Sequence, residues 1–136
     1  MTRPQGPSVL DASALLALMR EEKGAGRVAE ALKGRALIGA VNWAEVLSRL
    51  VQAGGDPVEI ASRALSYGDG GLLELVPFDD EQAREVARLR RPTQPLGLSL
   101  ADRAALALGR LRRLRVLTTD RAWRSLRLSI RIEVIR

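Results

Sequence analysis

The chain has 136 residues, of which 22 are Lys or Arg and 16 are Asp or Glu, for a formal charge of +6, and it contains neither Cys nor His. That length suits one domain burying roughly two thirds of its unfolded surface, and a composition 46% hydrophobic and 28% charged belongs with folded chains, away from disordered ones. The missing Cys and His exclude disulfides, thiolate nucleophiles, Ser-His-Asp triads and the usual zinc sites, so any catalysis rests on carboxylates, hydroxyls, Lys, Arg or an oxygen-bound hard cation such as Mg²⁺ or Mn²⁺.

No apolar run reaches the length of a membrane span, and residues 1–6 lack the apolar centre of a signal peptide. The expectation is a cytoplasmic protein that makes no membrane contact, a single domain over 1–136 with residues 1–6 a flexible extension. Lys occurs only at Lys23 and Lys33, so the positive charge is nearly all Arg, the side chain suited to bidentate phosphate contacts. A basic balance favours a polyanionic partner. Aromatics are scarce (Trp43, Tyr67, Phe78, Trp123), which argues against recognition by base stacking.

In chain order, Ser8-Val9-Leu10 reads as a buried strand that runs through Asp11 into a helix with Leu15, Leu16, Leu18 and Met19 on its apolar face. Val28, Ala29 and Leu32 mark a second short helix stopped by Gly34, and Ala36–Gly39 is strand two. Asn42-Trp43-Ala44-Glu45 opens a third helix, with Val46, Leu47, Leu50 and Val51 facing inward and Gly54-Gly55 ending it. Asp56-Pro57 is a cap followed by Pro at the first helical position, predicting a helix to Ser66 that Gly68, Gly70 and Gly71 close. Leu72–Val76 is strand three, and Phe78–Gln82 leads into a helix with Ala83, Val86, Ala87 and Leu89. Arg90–Pro95 reads as a flexible loop, Ser99–Asp102 as the start of an apolar helix to Gly109, and Arg115–Thr118 as strand four. A short helix with Trp123 and a strand from Ile130 to Ile135 complete the chain. Short strands alternating with helices predict an α/β fold, one parallel sheet covered on both faces. Right-handed crossovers then bring every strand end and following helix start to one edge.

Asp11, Glu45, Asp102 and Asp120 all fall at or just inside such helix starts. Each has an ordinary explanation: Asp11 and Asp120 as N-caps, Asn42 with Glu45 and Ser99 with Asp102 as capping boxes. Together they point elsewhere, because four carboxylates on one edge repel one another and a divalent cation relieves that repulsion. Such a cation supports phosphodiester hydrolysis. Asp79 competes as a strand-end acid, but a cap with Gln82 explains it; Asp56, Glu59, Asp69, Glu74 and Glu85 read as surface or cap positions. Ser13 and Thr119 flank two of the acids as supporting hydroxyls. Arg103, Arg121 and Arg124 follow the acids closely enough to contact phosphates, while Arg110, Arg112, Arg113 and Arg115 read as solvated, with a phosphate track at Arg112 and Arg113 as the lesser alternative.

Val9-Leu10-Asp11-Ala12-Ser13, Asn42-Trp43-Ala44-Glu45-Val46, Leu98 through Leu108, and Val116 through Trp123 resemble the successive signatures of the PIN-domain ribonucleases, closest to the VapC-like toxin branch of type II toxin–antitoxin systems. The resemblance implies a three-layer α/β/α sandwich whose five-stranded parallel sheet has the order 3-2-1-4-5. It also implies a Mg²⁺- or Mn²⁺-dependent endoribonuclease acting on RNA, with Asp11, Glu45, Asp102 and Asp120 as catalytic and metal-holding residues. It further implies a homodimer neutralised by a cognate antitoxin, with residues 42 to 68 in the dimer- and antitoxin-facing region. The rival readings are a noncatalytic RNA- or protein-binding module and a phosphoacceptor domain. The latter is opposed by the absence of Asp-x-Asp after strand one and of any Lys beyond Lys33.

Overall fold

The computed structural model describes residues 6–66 and 73–136. Five parallel strands, β1 (Ser8–Leu10), β2 (Ala36–Gly39), β3 (Leu73–Val76), β4 (Arg115–Thr118) and β5 (Ile132–Val134), form one sheet in the order β3-β2-β1-β4-β5. The helices are α1 (Ala12–Met19), α2 (Ala25–Lys33), α3 (Ala40–Gln52), α4 (Pro57–Ser66), α5 (Asp80–Arg88), α6 (Arg90–Thr93) and α7 (Leu100–Arg112), with 3-10 turns at Gln94–Leu96 and Arg121–Ser125. Strand alternation divides the core into two layers. Leu10, Ile38 and Leu117 face α1, α2, α3 and α4, while Val9, Leu37 and Val116 face α5 and α7. Strand β1 is thus central and buried on both faces, as parallel strands are.

Local chemistry explains most boundaries. Asp56 Oδ1 accepts from the amides of Val58 and Glu59 at 2.9 and 3.2 Å, and Asp79 Oδ1 accepts from Gln82 N at 2.9 Å, the two caps read from sequence. The predicted closure of α4 by Gly68, Gly70 and Gly71, Leu72 at the head of strand three, and most of the N-terminal extension lie outside the described residues.

Six expectations are corrected. Helix α3 begins at Ala40, capped by Gly39 without a side-chain bond, so Asn42 and Glu45 form no capping box. Strand β2 turns straight into the helix at Gly39, in ordinary extended backbone, and Asn42 is buried in the second half of the first turn. Val51 is exposed rather than core. Arg90–Pro95 is not a loop but continues as α6 and a 3-10 turn. Pro92 and Pro95 sit in first turns, where a missing N–H costs nothing, and buried Thr93 donates to Leu89 O at 2.6 Å. Helix α7 runs on past Gly109, which is buried against β4. Glu85 is buried, paired with Arg88 and Arg110 at 3.4 and 3.7 Å, which also removes Arg110 from the purely solvated positions.

Candidate active site

Asp11 ends β1 and caps α1, and it is 4% exposed. Its Oδ1 accepts from Ala14 N at 2.8 Å and Ser13 Oγ at 2.7 Å, and its Oδ2 accepts from Thr118 Oγ1 at 2.5 Å. Thr118 is the last residue of β4, the strand beside β1, and its hydroxyl also accepts from Asp120 N at 3.1 Å. Ser13 Oγ in turn accepts from Thr119 N at 3.0 Å. Two adjacent strand ends are thereby locked around one carboxylate.

Burial pushes the Asp11 carboxyl up to about 6, an effect larger than the opposing bonds from Thr118, Ser13 and Ala14, and the charge of Asp102 pushes it the same way. The sequence marks Thr118 only as a Thr closing β4, and its role follows from the pairing of that strand with β1, which ends in Asp11. Thr118→Val is expected to raise the Asp11 pKa further and to cost about 1–3 kcal/mol, the usual penalty for stripping a partner from a buried polar group. Carboxyl NMR titration and urea denaturation check the two parts.

Asp102 sits in the first turn of α7 in a reciprocal box, accepting from Ser99 N at 2.9 Å while Ser99 Oγ accepts from Asp102 N at 3.1 Å. Asp120 caps the turn after β4 through Oδ1, 3.0 Å from Ala122 N. Glu45 lies in the second turn of α3, 3.7 Å from Arg49. Asn42, one turn earlier, donates to Ala101 O at 3.1 Å and so ties α3 to the residue before Asp102. Its Oδ1 is buried without a hydrogen-bond partner.

Asp11, Glu45, Asp102 and Asp120 line one cavity of about 600 Å³, with Ser13, Thr119 and Asn42 in its wall, Arg20, Arg49 and Arg136 at the same opening, and a fifth acid unmarked by the sequence, Glu22, paired with Arg136 at 3.6 Å. The four acids come from four separate stretches of the chain, the β1–α1 junction, α3, α7 and the turn after β4, brought together by the topology. Among the rim arginines expected from sequence, Arg103 is corrected: it is buried and donates to Val86 O at 3.1 Å. Arg121 donates to the carbonyl of Arg136, which itself lines the cavity, and Arg124 is exposed. Arg20, Arg49 and Arg136 occupy the rim instead, at positions no local motif marks. Asp79 stays apart, at the end of edge strand β3.

The donors suit a hard cation in kind: the carboxylates that line the cavity offer anionic oxygens, while Asn42 Oδ1 is buried behind its wall without a hydrogen-bond partner. Among the described residues no group of three acids is gathered closely enough, as the side chains stand, to hold one ion. Asp102 and Asp120 each commit one carboxylate oxygen to a cap, leaving Asp102 Oδ1 and Asp120 Oδ2 for a ligand.

A parallel α/β sheet with an acidic cavity at its strand ends is the class of protein defined by this arrangement. A family model described as PIN domain matches residues 8–127, and the chain belongs to that family. Solved structures share the fold. A toxin–antitoxin complex from Klebsiella pneumoniae is 22% identical with a TM-score of 0.67, over 88% of this chain and 92% of that one. VapBC2 from Rickettsia felis, bound to a DNA fragment from its promoter, is 14% identical with a TM-score of 0.68, over 93% and 97%. VapBC-5 from Mycobacterium tuberculosis, of the VapBC family of toxin–antitoxin systems, is 25% identical with a TM-score of 0.56, over 97% and 99%. The comparison with curated proteins gives no match.

Proposed function

We propose that the chain is a single PIN domain acting as a Mg²⁺- or Mn²⁺-dependent endoribonuclease, the toxin of a VapBC-type pair. The observation that carries this reading is the convergence of Asp11, Glu45, Asp102 and Asp120 on one cavity. Membership of the PIN family and likeness to toxin–antitoxin structures support it. Asp11, Asp102, Asp120 and Glu45 are the residues to hold the cation, with Asn42 beside them. When bound, the cation supplies activation of water and stabilisation of charge on the phosphate oxygens. Thr118 and Ser13 orient the Asp11 carboxylate, and Arg20, Arg49 and Arg136 contribute positive charge for the flanking phosphates.

Partners follow from the same reading: RNA as substrate, a cognate antitoxin over the cavity, and a second copy of the chain in a homodimer. Exposed Val51, Val58 and Leu65 on α3 and α4 give such contacts an apolar surface within residues 42–66, while 67 and 68 lie outside the described residues. No helix among the described residues is long and apolar enough to cross a membrane, in keeping with the cytoplasmic setting proposed.

A noncatalytic RNA- or protein-binding module is the second reading, favoured by the capping bonds of Asp11, Asp102 and Asp120. Incubating labelled RNA with Mn²⁺ separates the two. The nuclease reading expects internal cleavage that EDTA stops and that Asp11→Asn or Asp102→Asn abolishes with the fold intact. Cleavage that persists in both variants, or a parent with neither cleavage nor a Mn²⁺-dependent rise in Tm, overturns it.

A further inference from the structure

The edge of the sheet opposite the acids is rich in arginine. Strand β4 opens on Arg115, β5 follows Arg131, β2 follows Arg35, and α7 hands over to β4 through Arg112 and Arg113. Arg115 and Arg131 wall a cavity of about 290 Å³ there, and Arg131 Nη2 donates to Arg113 O at 3.4 Å. The nearby carboxylates are already engaged: Glu133 with Arg27 and Arg115, Glu74 with Arg35. Arg112, Arg113 and Arg131 are exposed.

Backbone geometry adds a second, independent observation. Arg113 has φ 55° and Arg35 φ 74°, two of the three non-glycine residues with positive φ among the described residues. Arg113 occupies the turn that ends α7, where Gly is the ordinary occupant and makes the same turn without strain. The helix dipole explains a cation in the last turn, such as Arg112, but not a side chain kept at a strained position one residue further on.

We propose that this edge is a second nucleic-acid contact, a phosphate-binding row for the RNA strand whose scissile bond lies in the acid cavity. It rests on the reading above that RNA is the substrate. Helix α7 begins beside Asp102 and ends at Arg112 and Arg113 about 20 Å on, so a strand leaving the cavity comes to the arginines along the length of that one helix. Guanidinium groups match phosphate oxygens bidentately. With no aromatic side chain in the cavity wall among the described residues, the contact reads backbone and not bases.

The test uses the Asp11→Asn chain in EDTA, so that cleavage plays no part, and reads fluorescence anisotropy with labelled single-stranded RNA and, separately, labelled polyglutamate. Arg113→Gly and Arg131→Ser are each expected to weaken RNA binding about 3- to 10-fold and to make the salt dependence shallower by about 0.7 in log–log slope. Arg113→Gly is at the same time expected to melt at or above the temperature of its parent, because the turn is relieved of strain. Opposite signs in stability and affinity are what a purely structural role for Arg113 does not produce. Unchanged affinity and slope in both variants overturn the proposal. Polyglutamate bound as tightly as RNA and weakened equally by the substitutions also overturns it, assigning the edge to an acidic protein instead. Absence of metal-dependent cleavage by the unsubstituted chain, with the edge effect intact, counts against the nuclease reading alone.

Discussion

Asp11→Asn is expected to make the metal-free protein more stable at neutral pH while abolishing the proposed cleavage of RNA. Ionising Asp11 in the folded chain is opposed by burial, and a carboxyl moved from 3.8 to about 6 corresponds to about 3 kcal/mol. The Asn side chain removes that charge and can keep the bonds from Ser13 and Ala14 on Oδ1, with its amide directed at Thr118. A net gain of about 1–3 kcal/mol follows, several degrees in Tm for a chain of this size. The sign with pH is fixed by proton counting. Between about pH 4 and pH 6 the folded parent keeps a proton on Asp11 that the unfolded chain has released, so this group's contribution to stability falls as pH rises through that window. Below it, parent and variant converge; above it the gap is full. Urea denaturation in EDTA at pH 3.5, 5 and 7.5 checks this, and a parent as stable as the variant at pH 7.5 contradicts it. Added Mn²⁺ is expected to reverse the order, raising the Tm of the parent and leaving the variant unmoved.

Gly109→Ala is expected to destabilise the fold severely, although helix propensity alone predicts the opposite. Gly109 lies inside α7, and in an exposed helix replacing Gly by Ala gains about 1 kcal/mol. Here a Cβ at position 109 overlaps Val116 Cγ2 on β4 and stands 3.1 Å from Leu114 O. Val116 is fully buried and the backbone carbonyl cannot yield, so overpacking dominates, at about 2–4 kcal/mol. A shift of the helix away from β4 would also disturb Asp102 at its other end. Thermal denaturation decides the sign directly, and a Tm at or above that of the parent shows that α7 is free to slide.

The two residues differ in how far the chain itself announces them. Asp11 is legible because a strand, an acid and a helix follow one another without a gap, and the caps at Asp56, Asp79 and Ser99 with Asp102 are legible for the same reason: donor and acceptor lie within three residues. Asn42 carries the same kind of signal and misleads. Gly39 begins α3 earlier, and the Asn side chain is spent on Ala101, 59 residues away. Arg103 looks like a rim cation until the packing of α7 on α5 buries it against Val86. Gly109 reads as a helix stop because the side chain it lacks is measured against Val116, on another element.

By itself, the sequence determined the order of the strands and of every helix but α6, the parallel α/β class, most helix starts and the position of Asp11, Asp102 and Asp120 at such starts, since these rest on periodicity and on bonds spanning a single turn. Only the tertiary structure decided what surrounds the acids. Thr118 meets Asp11 across 107 residues because β4 pairs with β1, and burial of that pair raises the carboxyl to about 6. Arg20, Arg49 and Arg136 reach the cavity while Arg103 does not. The physical reason is the same in each case: desolvation and cross-strand hydrogen bonds depend on which elements pack together, and no stretch of a few residues encodes that.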